Sequence, residues 1–253
     1  MKIILIRHGD PDYEKDSLTE KGWREAECLA DMLCRQDTDD PHCLKNTADT
    51  YFYMSPLGRA MDTAAATMER LGRKAEVLPW LREFEAPIWR PDDKTKMRIT
   101  WDWLPQDWAN EAIFYDRDHW HESEYLAPYK VWDEYHWVTS EFDALLAKHG
   151  YRREGDLYMA ERSNHDTIVL FCHFGCGAVL LSHLMGVSPM VFWHHFCAAP
   201  SSVTTLVTEE RREGVALFRM SAYGETTHLY VGGEQPAFAA RFCECYEDET
   251  RHD

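Results

Sequence analysis

The sequence predicts an α/β protein: a three-layer α/β/α sandwich with a mainly parallel central sheet, helices on both faces and an aromatic-rich insertion. Three observations predict it. The runs Ile3-Ile4-Leu5-Ile6, Tyr51-Phe52-Tyr53-Met54 and Ile168-Val169-Leu170-Phe171-Cys172 are short and continuously apolar, as strands covered on both faces of a sheet are. Each run ends abruptly in a turn that carries a basic residue: Arg7-His8-Gly9, then Ser55-Pro56-Leu57-Gly58-Arg59, then His173-Phe174-Gly175-Cys176-Gly177. Helical patterns follow the second and third turns, the order of a parallel sheet with crossovers.

Taken in order, the first strand is residues 3–6, and Gly9 lets the chain leave it at once. A surface helix over 20–35 places Trp23, Ala26, Ala30 and Leu33 on one face, capped by Thr19 or by Ser17 with Glu20 three residues on. Residues 36–50 are polar and read as a loop. The strand 51–54 leads into a helix through Met61 to Leu71, with Ala64, Ala65 and Ala66 inside it. A helix from Pro128 to Lys148 carries Val131, Tyr135, Val138, Phe142, Leu145 and Leu146 towards the sheet, and Gly150 ends it. Ser202–Thr208 and Val215–Ser221 read as two strands around Glu209–Gly214, a hairpin at the sheet edge. No internal repeat or low-complexity linker divides the chain, so residues 1–253 are expected to form one domain.

Composition narrows the function classes. The chain has 253 residues, 45% hydrophobic content and a formal charge of −17, enough for one substantial core. Such acidity argues against nucleic acid, which needs a basic footprint, and means that any anion must be bound by a local cationic pocket. No stretch reaches membrane-spanning length, and the N-terminal apolar run is too short for a signal peptide. The eight cysteines are scattered, so reduced thiols in the cytoplasm are expected. Cys243 and Cys245 lack a second pair to complete a zinc site, whereas Cys172 and Cys176 flank His173, where oxidation would harm the pocket.

Three strand ends that each deliver a basic residue beside a helix start describe a phosphate pocket, because helix N-termini and arginine forks both favour anions. An arginine beside a histidine, as in Arg7-His8, suits an anion that is to be held and attacked.

The stretches Leu5-Ile6-Arg7-His8-Gly9, Leu18-Thr19-Glu20-Lys21-Gly22, Ser55-Pro56-Leu57-Gly58-Arg59-Ala60, Leu81-Arg82-Glu83 and Cys172-His173-Phe174-Gly175 occur in the order and wide spacing of one family. The sequence resembles the histidine phosphatase superfamily, branch 1, the group that includes phosphoglycerate mutase. The resemblance implies that His8 is the nucleophile and forms a phosphohistidine, and that Glu83 protonates the leaving oxygen and then activates water. It implies that Arg7, Arg59 and His173 bind the phosphoryl oxygens, with no metal and no organic cofactor. The expected substrate is a small phosphorylated metabolite, and a homodimer is compatible with the pattern. Two alternatives stay open: a phosphoglycerate mutase-like phosphomutase, and a catalytically inert module that binds a phospho-ligand or a protein.

The chain departs from the family pattern in places. Pro87 stands where a glycine usually follows the acid by four residues, and Glu85 is a rival to Glu83. Asp10-Pro11-Asp12 replaces the usual continuation of Arg-His-Gly, and the mutases' tryptophan–asparagine pair is absent. Residues 86–124 lie outside the resemblance and hold Trp89, Trp101, Trp103, Trp108 and Trp120. They are expected to form either a lid that shapes leaving-group selectivity or a small core or subunit interface. Lys94, Lys96 and Arg98 are candidates to meet a second anionic group; His119, His121 and Glu122, like His194-His195, read as solvated or structural rather than metal-binding.

Overall fold

Strand β1 (Lys2–Arg7) is buried on both faces in the computed structural model, which describes residues 1–35, 44, 49–239, 241–249 and 251. Its alternation sets the layers: Ile3 and Leu5 enter one apolar cluster, Ile4 and Ile6 another. A fully buried branched side chain of this kind contributes about 1.5–3 kcal/mol of transfer free energy. The other strands of the sheet are β2 (Thr50–Met54), β3 (Glu76–Val77), β4 (Tyr151–Glu154), β5 (Leu157–Ala160), β6 (Thr167–Cys172), β7 (Val203–Arg212) and β8 (Val215–Glu225).

Their order across the sheet is β3-β2-β6-β1-β7-β8-β5-β4. The β3, β2, β6 and β1 strands pair in parallel, and each later neighbour pairs antiparallel. Two reversals restore direction, so β8 and β4 run with β1, and only β7 and β5 oppose it. The sheet is therefore mixed and mostly parallel. The carboxyl ends of β1, β2 and β6 lie side by side, which is where open α/β sheets place their sites.

Helices α1 (Glu20–Leu33) and α2 (Gly58–Leu71) cover the Ile4/Ile6 face through Leu29, Met32, Leu33, Ala64 and Met68. Thr19 caps α1, its hydroxyl accepting the Gly22 N–H at 3.0 Å, so Thr19 rather than Ser17 is the cap. Trp23 does not share the buried face: it is 42% exposed, and Gly22, Glu25 and Leu29 are buried instead. Of residues 36–50, expected as a loop, most lie outside the described residues; Leu44 is buried against this face.

The opposite face carries the short α3 (Pro105–Trp108), α4 (Val131–Lys148), α5 (Phe174–Met185) and α6 (Pro189–His195). The α4 helix starts three residues later than expected, and Gly150 takes φ +93° beyond its end. Trp103, Trp108, Phe114 and Trp120 of the insertion are buried in this cluster, so much of residues 86–124 extends the core. A last helix, α7 (Thr227–Gly232), packs on α1.

The β7–β8 hairpin is not at the sheet edge. Its β7 strand pairs with β1, and a second hairpin, β4–β5, lies outside β8. Tyr151 and Tyr158 of that outer hairpin pack on Phe218 of β8, with ring centroids 6.0 and 4.9 Å apart, and cover what would otherwise be an exposed apolar strand. Among the described residues no helix is long and apolar enough to cross a membrane.

Candidate active site

His8 follows β1 directly, where the backbone leaves the sheet. Its Nδ1 lies 2.7 Å from the Gly9 carbonyl oxygen, which can only accept, so Nδ1 carries the ring proton and Nε2 keeps its lone pair. Burial, and then the Arg7 guanidinium, hold the His8 pKa well below the ordinary histidine value. The ring is neutral at pH 7. Two backbone bonds fix the turn: Gly9 N–H donates to Thr63 Oγ1 at 2.9 Å, and Ser201 N–H donates to the His8 carbonyl at 2.9 Å.

His173, at the end of β6, places its ring centroid 5.1 Å from that of His8. Its Nε2 is 2.7 Å from Ser55 Oγ, at the end of β2. That hydroxyl already accepts the Leu57 N–H at 3.1 Å, so its own hydrogen is available for Nε2. The other ring nitrogen of His173, Nδ1, is a buried atom that no protein group meets.

The two arginines show the same feature. Arg7 donates through Nη1 to Ala198 O at 2.6 Å and Ala239 O at 3.2 Å, and its guanidinium lies 5.5 Å from the Phe174 ring centre. Arg59, on the first turn of α2, donates through Nη1 to Asp16 Oδ1 at 2.7 Å and lies 5.4 Å from the Tyr13 ring centre. The Nε of each is buried without a protein partner. Arg7, Arg59 and His173 thus each keep a buried nitrogen without a protein partner, and all three residues lie close to His8.

Glu83 follows a short turn after Leu81 and is 7% exposed. Its Oε1 accepts the Phe84 N–H and the Cys176 N–H, each at 2.9 Å, which leaves Oε2 to carry a proton. Burial raises its pKa to about 7, against the pull of those N–H groups and of Arg59 and Arg7. Glu85, the rival, is exposed, and its backbone N–H turns outward to Glu134. The structure brings Arg7, His8, Arg59, Glu83 and His173 together and leaves Glu85 outside.

The helix starts are used differently from the sequence expectation. Asp16 Oδ2 takes the Gly58 N–H at 2.7 Å at the start of α2, and Glu83 takes the Cys176 N–H at the start of α5. A carboxyl group of the chain thus takes an N–H at each of these two helix starts.

Sequence reasoning missed Tyr13, Asp16, Ser55 and Thr63. Asp16 has φ +48°, unusual outside glycine, which turns its carboxylate onto Gly58 and Arg59. A second buried carboxyl, Glu25, takes the Asp10 N–H at 2.8 Å, and burial raises its pKa to about 7. The other candidates have local partners. His119 bonds Asp116 at 3.1 Å, His121 stacks on Trp132, and His194 and His195 pack on Trp108. Cys172 and Cys176, which flank His173, are buried, and burial pushes their thiols up, which disfavours the reactive thiolate.

A mostly parallel sheet thus brings two histidines, two arginines and a buried carboxyl together at one end of an α/β protein. Residues 3–127 match the model of the histidine phosphatase superfamily (branch 1), the family whose motifs the sequence resembles. The search of curated proteins gave no match. Solved structures of similar fold include a phosphoserine phosphatase mutant from Entamoeba histolytica in complex with phosphoserine, 17% identical, covering 90% of this chain and 98% of its own with TM-score 0.53. A mycobacterial glucosyl-3-phosphoglycerate phosphatase is 20% identical over 88% of this chain and 98% of its own, TM-score 0.53. A putative α-ribazole-5′-phosphate phosphatase from Escherichia coli is 18% identical over 89% and 98%, TM-score 0.53.

Proposed function

We propose that the protein is a phosphomonoester hydrolase that acts through a phosphohistidine on a small phosphorylated metabolite, without metal or organic cofactor. One observation carries the reading: the neutral His8, with Nε2 unprotonated, lies 5.1 Å ring to ring from His173, close enough to Arg7 and Arg59 for both cations to depress its pKa, and Arg7, Arg59 and His173 each keep a buried nitrogen that no protein group meets. Buried donors of this kind are costly unless an acceptor meets them, and a phosphoryl group supplies several oxygens.

In the first step His8 Nε2 attacks phosphorus, and the bond from phosphorus to the ester oxygen breaks. Glu83 gives its proton to that oxygen, so the leaving group departs as a neutral alcohol. Arg7, Arg59 and His173 Nδ1–H stabilise the charge on the equatorial oxygens. In the second step the Glu83 carboxylate takes a proton from water, which attacks phosphorus and breaks the P–N bond. Inorganic phosphate leaves and His8 is restored. A carboxyl of pKa about 7 serves both steps, because it gives and takes a proton with little penalty near neutrality.

The test is phosphate release from a broad panel of phosphomonoesters in EDTA, with wild type beside His8→Ala. Release that His8→Ala abolishes supports the reading. Release that survives in His8→Ala, or that EDTA removes and metal restores, rejects it.

A further inference from the structure

Trp101 joins the insertion to the phosphate pocket. Its indole N–H donates to Phe84 O at 2.7 Å, one residue from Glu83. Its ring packs edge-on against Phe174, at 5.4 Å between centroids, and Phe174 in turn lies under Arg7. From Trp101 opens a cleft of about 400 Å³ whose walls include Trp103, Trp108, Trp193, Phe196 and Phe242. Cys197 forms its wall on the Arg7 side, next to Ala198, whose carbonyl accepts the Arg7 N–H. Two residues of the cleft wall are therefore next to the pocket: Trp101 is bonded to Phe84 beside the acid, and Cys197 precedes Ala198, which holds Arg7.

The charges at its rim are already compensated. Asp102 pairs with Arg90 at 3.2 Å and Arg98 at 3.6 Å, and Arg241 pairs with Glu244 at 2.6 Å. Arg98 also bonds Asp93, and Lys94 bonds Arg90 O at 3.0 Å, so neither reaches out to a second anion as the sequence suggested. Among the described lining residues no lysine or arginine is left unpaired. A leaving group that brings its own carboxylate would be desolvated here without a cationic partner, whereas a flat apolar ring would meet aromatic faces.

We propose that this cleft is the leaving-group subsite, and that the preferred substrates are phosphomonoesters of uncharged aromatic alcohols rather than of small hydroxy acids. The proposal rests on the phosphatase reading above. Such a substrate places its phosphoryl group among Arg7, Arg59 and His173, its ester oxygen at Glu83, and its ring beyond Trp101.

The test compares 2-(1-naphthyl)ethyl phosphate with n-butyl phosphate, two alkyl esters whose alcohols have similar acidity and differ in the ring. The expected ratio of kcat/KM is about tenfold or more in favour of the naphthyl ester. Phe196→Ala and Phe242→Ala remove side chains that are partly exposed, so the fold is expected to survive, which circular dichroism checks. Each is expected to shrink the ratio towards one. A ratio near one in wild type, an unchanged ratio in both folded variants, or faster turnover of phosphoserine or 3-phosphoglycerate would overturn the subsite while leaving the phosphatase reading intact. Release from no ester at all would reject the phosphatase reading instead. Dissociation constants of the matching naphthylethyl and butyl phosphonates, read from tryptophan fluorescence, then decide the cleft: a tenfold preference for the ring sustains it, and equal affinities overturn it.

Discussion

Asp16 holds Arg59 in place from behind the phosphate pocket. One carboxylate oxygen takes the Arg59 Nη1–H and the other takes the Gly58 N–H, each at 2.7 Å, so one side chain caps α2 and aims its first arginine. Asp16→Asn keeps a residue that tolerates positive φ but loses the charge that pairs with the guanidinium. We expect it to lower kcat/KM by roughly 10–100-fold with little loss of stability, because a misplaced donor is felt mainly in the transition state. A variant within about twofold of wild type in steady-state kinetics would show that Arg59 needs no such support.

The pH dependence follows from Glu83 and His8. The Glu83 pKa is raised to about 7, so the acid is protonated below that pH and lost above it. For substrates with poor leaving groups kcat should fall about tenfold per unit above pH 7. His8 is held well below its ordinary value, so it stays neutral and active below pH 6. Glu83→Gln should remove the alkaline limb and cost roughly 10²–10⁴-fold for poor leaving groups, less for good ones. Burial that raises a carboxyl pKa favours the folded state fully below the unfolded pKa near 4.5, and this contribution is lost as pH rises to about 7. Glu83→Gln should therefore be more stable than wild type at pH 8 and not at pH 4.5, by up to about 3 kcal/mol. Equal melting temperatures at pH 8 would contradict the raised pKa.

Gly175 leaves no room for a side chain. A Cβ there would overlap the Trp101 indole nitrogen and lie 2.8 Å from Glu83 Oε1. Gly175→Ala should displace both groups and reduce kcat for alkyl esters by about 100-fold or more, while phosphoenzyme formation from activated esters, which need no acid, suffers less. Equal losses on both ester types would assign the damage to the phosphate pocket instead.

What the sequence revealed, and what it concealed, divides along chain separation. The strands β1, β2 and β6 were legible because each is a continuous apolar run that stops at a basic turn, and four of the five expected site residues sit at or near such stops, whereas Glu83 follows the short turn Pro79–Leu81. Asp16, Ser55 and Thr63 act across 43, 118 and 54 residues of chain on Arg59, His173 and Gly9, a relation that no local pattern carries. The β4–β5 hairpin was missed because Tyr151-Arg152-Arg153-Glu154 looks solvated. Only its alternate tyrosines, with Gly155 between the strands at φ +61°, signal it. The tryptophans of the insertion gave size without direction: Trp120 is wholly buried while Trp89 is 37% exposed, and the packing of α4 and α6 decides which.

The most direct test of the account is to trap the intermediate. Wild-type protein mixed with a phosphomonoester and quenched in alkali within milliseconds should carry a base-stable, acid-labile phosphoryl group, and peptide mass spectrometry should place it on His8. Glu83→Gln should accumulate it from an activated ester, because water is no longer deprotonated. Turnover without any phosphorylated histidine, or a label that persists in His8→Ala, would contradict the central claim.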